Sequence, residues 1–142
     1  MRGLWALAAL LLILSKCSAG ALLTGDYNHR FFKALRFAES SNRASVKPGD
    51  KGKSHGIYQI KSIYLADVNK VYKTNFMLSD RSDPGKAHRI VILYLTYWGR
   101  AYTRRTGKPV TYEVLARIHN GGPNGWRKQA TIKYWHKVRK YL

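Results

Sequence analysis

The chain has 142 residues, enough for one domain that buries a sizeable hydrophobic core. Its 26 lysine and arginine residues against 7 acidic residues give a formal net charge of +19, which favours polyanionic partners without selecting among nucleic acid, anionic lipid and wall polymers. The single cysteine, Cys17, excludes a disulfide framework and a cysteine-based metal site, and the five histidines show no spacing that predicts a metal or cofactor.

The N-terminal segment has the layout of a secretory signal peptide. Arg2 precedes the apolar run GLWALAALLLIL, and small residues follow at Ala19 and Ala21. The run is about a dozen residues, shorter than the roughly 20 that cross a bilayer, so no permanent membrane span is expected. We predict a signal peptide over residues 1–21 and a secreted, extracellular domain over residues 22–142. That domain would contain no cysteine and, with 24 basic and 7 acidic residues, would carry a charge of +17.

The first helix of that domain is indicated by apolar residues at helical spacing. Phe31, Leu35 and Ala38 recur at intervals of four and three, with Phe32 beside them. The polar run ESSN that follows favours the end of a helix over its continuation. The pattern therefore predicts a helix over about residues 27–41.

A glycine-containing loop and a second helix are expected next. The run VKPGDKGKSHG contains Pro48 and three glycines, which predicts a short hairpin or loop near residues 46–60. An apolar pattern then resumes and predicts a helix. Its apolar positions are Ile60, Ile63, Tyr64, Val68 and Val71.

The remaining chain contains three further helical patterns. Ser82 or Asp83 is placed to cap a long buried helix with Pro84 at its first position. Thr111 is placed to cap the short helix YEVLARI, and the run KQATIKYWHKVRKYL predicts a last helix over residues 128–142. We therefore expect a mainly α protein with at most one small hairpin.

Two acidic residues are candidates for chemistry. Glu39 lies at the end of a helix, where the helix dipole disfavours a negative charge, and Asp50 lies in the loop that follows. One carboxylate on a helix and one on the adjacent loop make an acid and base pair of the kind that glycoside cleavage uses. The alternative explanation for Glu39 is an ion pair with Arg36 or Arg43. The other five acids have structural explanations at helix starts or within helices: Asp26, Asp67, Asp80, Asp83 and Glu113.

The order of the motifs resembles the lysozyme-like superfamily, and most closely the invertebrate-type (destabilase) lysozymes. Glu39 and Ser40 at the helix end, GIYQI at 56–60 and ARIHNGGPNG at 116–125 carry this likeness, which spans about residues 30–138. The resemblance implies a mainly α (α+β) lysozyme-like fold with a substrate cleft. In that setting the glycine-rich loop, which has more glycines than a helix cap requires, becomes one wall of a saccharide groove.

The resemblance assigns roles by position. Glu39 matches the catalytic acid of the family, and DKGKSHGIYQI fits the segment of the second carboxylate with one residue deleted. That alignment places Asp50 on the carboxylate and Ser54 on a serine of the family. We also expect Gly125 to border the cleft. The residues expected to bind substrate are Ser54, Tyr58, Gln59, His119, Asn120, Gly121 and Gly122.

The function implied by the resemblance is that of a secreted, bacteriolytic lysozyme with an antibacterial or digestive role. Such a muramidase hydrolyses the β-1,4 bond between N-acetylmuramic acid and N-acetylglucosamine in bacterial peptidoglycan, and the basic surface would bind the anionic cell wall. It needs no cofactor or metal, and nucleic acid is not expected as a partner because no recognition motif is present.

Three alternatives remain open at this stage. Invertebrate-type lysozymes are usually rich in cysteine, and this departure points toward lytic transglycosylases, which share the Glu-Ser helix end and use one glutamate. Those enzymes also have a Tyr-Asn-x-Gly loop, and in this chain His119 stands at the position of its tyrosine. The basic C-terminal run KYWHKVRKYL also fits a non-catalytic cationic protein that binds cell envelopes. Likeness to destabilase raises an isopeptidase activity involving Ser54.

Overall fold

The computed structural model describes residues 26–142, so the predicted signal peptide lies outside the described residues. Within that range the chain forms five α-helices and one small antiparallel sheet, which confirms the predicted mainly helical fold. None of these helices is both long enough and apolar enough to span a bilayer. The helices are α1 (Asp26–Ser40), α2 (Ser62–Tyr72), α3 (Pro84–Thr106), α4 (Tyr112–Gly121) and α5 (Ile132–Val138); the strands are β1 (Ser54–His55) and β2 (Ile60–Lys61); short 3-10 helices cover Leu78–Ser82, Gly125–Arg127, Gln129–Thr131 and Arg139–Tyr141.

The hydrophobic core is built mainly from α1, α3 and α4. The four apolar residues at helical spacing in α1 are all buried, and burial of a leucine or phenylalanine side chain contributes about 1.5–3 kcal/mol. They pack into the same cluster as the buried faces of the other helices, which fixes α1 as a rigid support. The main members are Phe31, Phe32, Leu35, Ala38, Ile90, Val91, Leu95, Leu115 and Ile118.

Helix α1 ends at the polar run that predicted its end. Ser41 and Asn42 adopt left-handed backbone angles, with φ of 54° and 59°, which the helix cannot continue through. The hydroxyl of Ser40 donates a hydrogen bond of 2.9 Å to the carbonyl of Ile57. The C-terminal turn of α1, with Glu39 on it, is thereby held against the hairpin segment.

The hairpin confirms the small sheet expected near residues 46–60. Ser54 pairs with Lys61 in the antiparallel ladder, and Gly49 forms an additional bridge to Ser54. The side chain of Gln59 spans the loop, because its Oε1 accepts from the Gly49 amide and its Nε2 donates to the Gly56 carbonyl, both at 2.9 Å. Gln59 therefore holds the loop that carries Asp50.

Two predicted helix caps are present. The side chain of Asp83 accepts from the Lys86 amide at 2.7 Å, and Pro84 occupies the first position of α3. Thr111 accepts from the Val114 amide at 3.2 Å and caps α4.

The predicted last helix is shorter than expected. Only Ile132–Val138 is α-helical, with 3-10 turns on either side instead of one helix over residues 128–142. The hydroxyl of Thr131 is 2.8 Å from the carbonyls of both Gly125 and Lys128, so these residues fold into tight turns before α5 begins.

One apolar position of the second helical pattern, Ile63, is exposed in the structure. Helix α2 begins only at Ser62, after β2, and its buried face consists of Tyr64, Leu65 and Val68. Ile63 points away from that face and is 68% exposed. It lies instead at the edge of the cleft described next.

Candidate functional site

A cleft of about 460 Å³ lies between the end of α1, the hairpin, α2 and the loop after α4. Most residues predicted to form a site are brought together on its walls, although they are distant along the chain. The predicted residues that line it are Glu39, Asp50, Ser54, Gln59, His119, Asn120 and Gly122.

Tyr58 does not line the cleft, which corrects its expected place in a sugar groove. Its side chain is fully buried, and its hydroxyl accepts from Nη1 of Arg36 at 3.0 Å and lies 2.7 Å from Nδ1 of His88. Its ring meets that of His119 edge-on, with centroids 6.4 Å apart. Tyr58 therefore packs behind the cleft and supports one of its residues.

The glycines of the loop also divide into two groups, which corrects the expectation that all three border the cleft. A Cβ on Gly121 would lie 2.5 Å from Cγ2 of Thr131, and a Cβ on Gly125 would lie 1.9 Å from the carbonyl oxygen of Arg117. Both glycines allow the following turns to pack closely on α4. Gly122, with φ of 81°, ends α4 and is the glycine of this loop that lines the cleft.

Glu39 lies on the cleft wall with its side chain 17% exposed. The hydroxyl of Tyr134 donates to Oε1 of Glu39 at 2.7 Å, and Nε2 of His119 is 3.5 Å from the same oxygen. The ion pair with Arg36 or Arg43 is not found in the described part of the chain, where Arg36 bonds to other side chains and Arg43 to a backbone carbonyl. Two side chains from distant parts of the chain, Tyr134 and His119, therefore approach one carboxylate oxygen of Glu39 inside the cleft.

A buried tyrosine fixes the ring of His119. The hydroxyl of Tyr64 lies 3.1 Å from Nδ1 of His119, and its ring stacks on Tyr94 with centroids 3.5 Å apart. Burial raises the pKa of Tyr64 well above its usual value, and burial together with the charge of Glu39 does the same for Tyr134. Both phenols therefore stay protonated, and the contact with Tyr64 holds the His119 ring with its Nε2 facing Glu39.

Asp50 occupies a more open position on the same cleft. Its backbone is left-handed, with φ of 50°, and its carboxylate is 2.5 Å from Nζ of Lys61. The hydrogen bond and charge of Lys61 lower the pKa of Asp50 below its usual value of 3.8. Asp50 is therefore ionised across the physiological range.

Several lining residues were not predicted from the sequence. Tyr64 and Tyr94 belong to apolar helical patterns, and Asp67 fits a helix interior, so periodicity alone gives no signal for a cleft position. Tyr134 lies in the motif KYWHKV, which follows the glycine loop. This motif was the sequence signal that could have indicated a cleft position for Tyr134. The additional lining residues are Ala38, Lys61, Ile63, Tyr64, Asp67, Tyr94, Pro123, Tyr134 and Lys137.

Neither the cleft nor the rest of the described range offers a metal-binding cluster. Within residues 26–142, no three histidine, cysteine or acidic side chains lie close enough together to hold a metal ion.

Comparison with known proteins agrees with this architecture. The chain is 38% identical over 87 residues to a lysozyme of Magallana gigas, which is 61% of this chain and 59% of that protein. It is 33% identical to a lysozyme of Meretrix lusoria, over 61% of this chain and 66% of that protein. It is 34% identical to an invertebrate-type lysozyme of Ruditapes philippinarum, over 61% of this chain and 60% of that protein. No protein-family model matches the chain.

The fold and the cleft define a lysozyme-like protein, with a helical body, a small hairpin and a glutamate at the end of a core helix. The chain is, more narrowly, a relative of the invertebrate-type lysozymes, which confirms the resemblance of its motifs. It spans about three fifths to two thirds of the length of these curated relatives.

Proposed function

We propose that the protein is a secreted muramidase that hydrolyses the β-1,4 bond between N-acetylmuramic acid and N-acetylglucosamine in bacterial peptidoglycan. The observation that carries this proposal is the placement of Glu39 in a cleft that also contains the ionised Asp50. The relatives named lysozyme support the same reaction class. The activity, the substrate and the roles of the residues are all part of this proposal.

Glu39 is proposed as the general acid and base. It would protonate the glycosidic oxygen as the C1–O bond breaks, while the Asp50 carboxylate attacks C1 or stabilises the oxocarbenium ion. Glu39 would then take a proton from water as the water oxygen attacks C1. Tyr134 and His119 hold one carboxylate oxygen of Glu39, so the other is free to face the scissile bond.

The remaining cleft residues are proposed to bind the saccharide. Ser54, Gln59, Asn120 and Gly122 offer hydroxyl, amide and backbone groups along the cleft wall. The amide of Gln59 already bonds to two backbone groups of the hairpin, so its main contribution is to hold that wall.

Export and wall binding complete the proposal. We propose that residues 1–21 are a signal peptide and that residues 22–142 form the mature extracellular domain. Its charge of +17 would concentrate the enzyme on anionic bacterial walls. The apolar run GLWALAALLLIL after Arg2 supports export.

The test is turnover of purified peptidoglycan by the wild type and by Glu39→Gln. We expect loss of at least about 100-fold in rate for Glu39→Gln, since removal of a general acid typically costs 10²–10⁴. Glu113→Gln is the matched control, because Glu113 pairs with Arg117 outside the cleft and the variant should retain wild-type turnover. Undiminished turnover by Glu39→Gln would refute the role of Glu39, and absence of turnover in the wild type itself would favour a non-catalytic cationic protein.

The chief alternative is a lytic transglycosylase reaction on the same fold. It needs one glutamate and releases an anhydro-sugar, whereas hydrolysis leaves a reducing end. Mass analysis of the soluble products distinguishes the two, since the hydrolysis product is heavier by one water. Anhydro ends as the main product, together with full activity of Asp50→Asn, would exclude the hydrolase mechanism.

A further inference from the structure

The carboxylate of Asp67 is the acidic group in the cleft to which no reaction step has been assigned. Asp67 projects from α2 into the cleft, and within residues 26–142 its side chain makes neither a hydrogen bond nor an ion pair. Five other acidic side chains have partners. Glu39 bonds to Tyr134, Asp50 to Lys61, Asp80 to Lys86, Asp83 to the Lys86 amide, and Glu113 to Arg117.

An unpaired carboxylate is unexpected in so basic a chain. Asp67 is partly buried, which weakens its hydration, and cations are abundant enough to neutralise it. Neither of the two lysines that line the cleft, Lys61 and Lys137, pairs with it, and Lys61 is held by Asp50. The negative charge is therefore left available to a ligand in the cleft.

The surroundings of Asp67 strengthen its interaction with a cation. Burial, with a further contribution from the charge of Asp67, raises the pKa of Tyr94, so that this neighbouring phenol stays neutral. Tyr94 stacks on buried Tyr64, which gives this part of the cleft a low-polarity wall. A charge pair formed there gains more than one formed in open water.

We propose that Asp67 is a specificity-determining residue that binds an ammonium group of the substrate. This inference rests on the proposed action of the cleft on peptidoglycan. Two sources in that polymer carry such a group: a glucosamine that has lost its N-acetyl group, and the free side-chain amine of a diamino acid in the stem peptide. The N-acetyl group is neutral, so a fully acetylated glycan without stem peptides offers Asp67 only hydroxyl and amide donors.

Asp67→Asn separates recognition of an ammonium from recognition of a hydroxyl. Asparagine keeps the size and one acceptor oxygen of aspartate and removes its charge, so binding of a hydroxyl is largely preserved and binding of an ammonium is not. Asp67→Glu keeps the charge and should restore part of the ammonium preference. Glu113→Gln removes one negative charge outside the cleft and serves as the matched control.

The first experiment measures binding by calorimetry at mildly acidic pH, where the amine is protonated. The probes are a glucosamine oligomer, its fully N-acetylated counterpart, and a disaccharide peptide from the wall with its stem amine either free or chemically acetylated. For Asp67→Asn we expect affinity to fall about tenfold or more for one amine-bearing probe and to stay within about twofold for its acetylated partner.

The outcomes identify the source of the ammonium group. If Asp67→Asn loses affinity only for the glucosamine oligomer, the ammonium group belongs to the sugar. If it loses affinity only for the disaccharide peptide with a free stem amine, the ammonium group belongs to the peptide. Equal loss on amine-bearing and acetylated probes, or no loss on any of them, would overturn the proposal. If the wild type failed to cleave the wall, the proposed function would fall, yet selective loss of binding would still establish the ammonium site.

Discussion

Glu39 owes its environment to two residues from distant parts of the chain. Tyr134 donates to its carboxylate from 95 positions away, and His119 approaches the same oxygen from the end of α4. Both partners are themselves restrained, Tyr134 by burial and His119 by Tyr64. The geometry of the carboxylate is thus set before substrate binds, which limits the reorganisation needed in the reaction.

Tyr134→Phe should reduce kcat/KM on soluble peptidoglycan fragments by about 10-fold or more. The variant keeps the ring and removes one hydrogen bond to a charged group, an interaction of about 1.5–3 kcal/mol. Because Tyr134 acts through Glu39, we expect a shifted pH profile as well as a lower rate. Tyr141→Phe is the control, since Tyr141 is 46% exposed and outside the cleft. An unchanged profile in Tyr134→Phe would rule out the positioning role.

Lys61→Gln should move the acid limb of the pH–activity profile to higher pH. Lys61 lowers the pKa of Asp50, so its removal returns that pKa toward 3.8, and Asp50 becomes protonated at a higher pH than in the wild type. Lys53→Gln should give a smaller displacement in the same direction, because Lys53 contributes less. Activity measured between pH 3 and 7 tests the order, and equal profiles for all three proteins would count against a role for ionised Asp50.

At the level of secondary structure, the end of α4 and the turns after it form one packed unit. Gly125 contacts the backbone of Arg117, and Thr131 bonds to the Gly125 carbonyl at 2.8 Å. Lys128 donates to the Gly121 carbonyl at 2.6 Å across the same turns. The unit leads the chain from α4 into α5, so it brings His119 and Tyr134 to the same carboxylate.

Gly125→Ala should destabilise the fold far more than Gly107→Ala. The new Cβ would lie 1.9 Å from a backbone oxygen that cannot move without shifting α4, so we expect a loss of about 3 kcal/mol or more. Gly107 has φ of 69° and open space around it, so alanine there meets only backbone strain of about 1–2 kcal/mol. Thermal unfolding of the two variants tests this order, and similar Tm values would contradict it.

For the molecule as a whole, the proposed wall binding and the proposed cleavage depend on different sets of charges. The basic residues greatly outnumber the acids, and the acidic groups of the cleft are a local exception in a positive surface. Long-range attraction to an anionic wall depends on the sum of these charges, whereas cleavage depends on a few side chains within hydrogen-bond distance. Ionic strength should therefore affect the two processes differently.

Raising the ionic strength from about 0.01 to 0.15 M should slow lysis of intact bacteria and leave turnover of a short uncharged glycan nearly unchanged. The screening length falls from about 30 to 8 Å over that range, which weakens attraction between exposed charges. Turbidity clearing and product release from the short glycan measure the two processes in the same buffers. A parallel fall in both rates would show that salt acts on the cleft, not on wall binding.

Local structure and the resemblance to a protein family could be predicted from the sequence. These predictions rest on features that act over a few residues: helical spacing, the caps at Asp83 and Thr111, and the ESSN helix end. Such features can be recognised without knowledge of the tertiary structure. The motifs around Glu39 and the glycine loop carried the resemblance to lysozymes. These features led directly to the helical architecture and to seven of the 16 residues that line the cleft.

The side on which each of these residues lies depends on the packing of the folded chain. This packing buried Tyr58, exposed Ile63, assigned two loop glycines to close contacts and placed Asp67 in the cleft without a partner. Periodicity identifies a side of a helix but not the neighbour that covers it. Contacts such as Tyr134 with Glu39 join segments 95 residues apart and depend on the packing of the whole core.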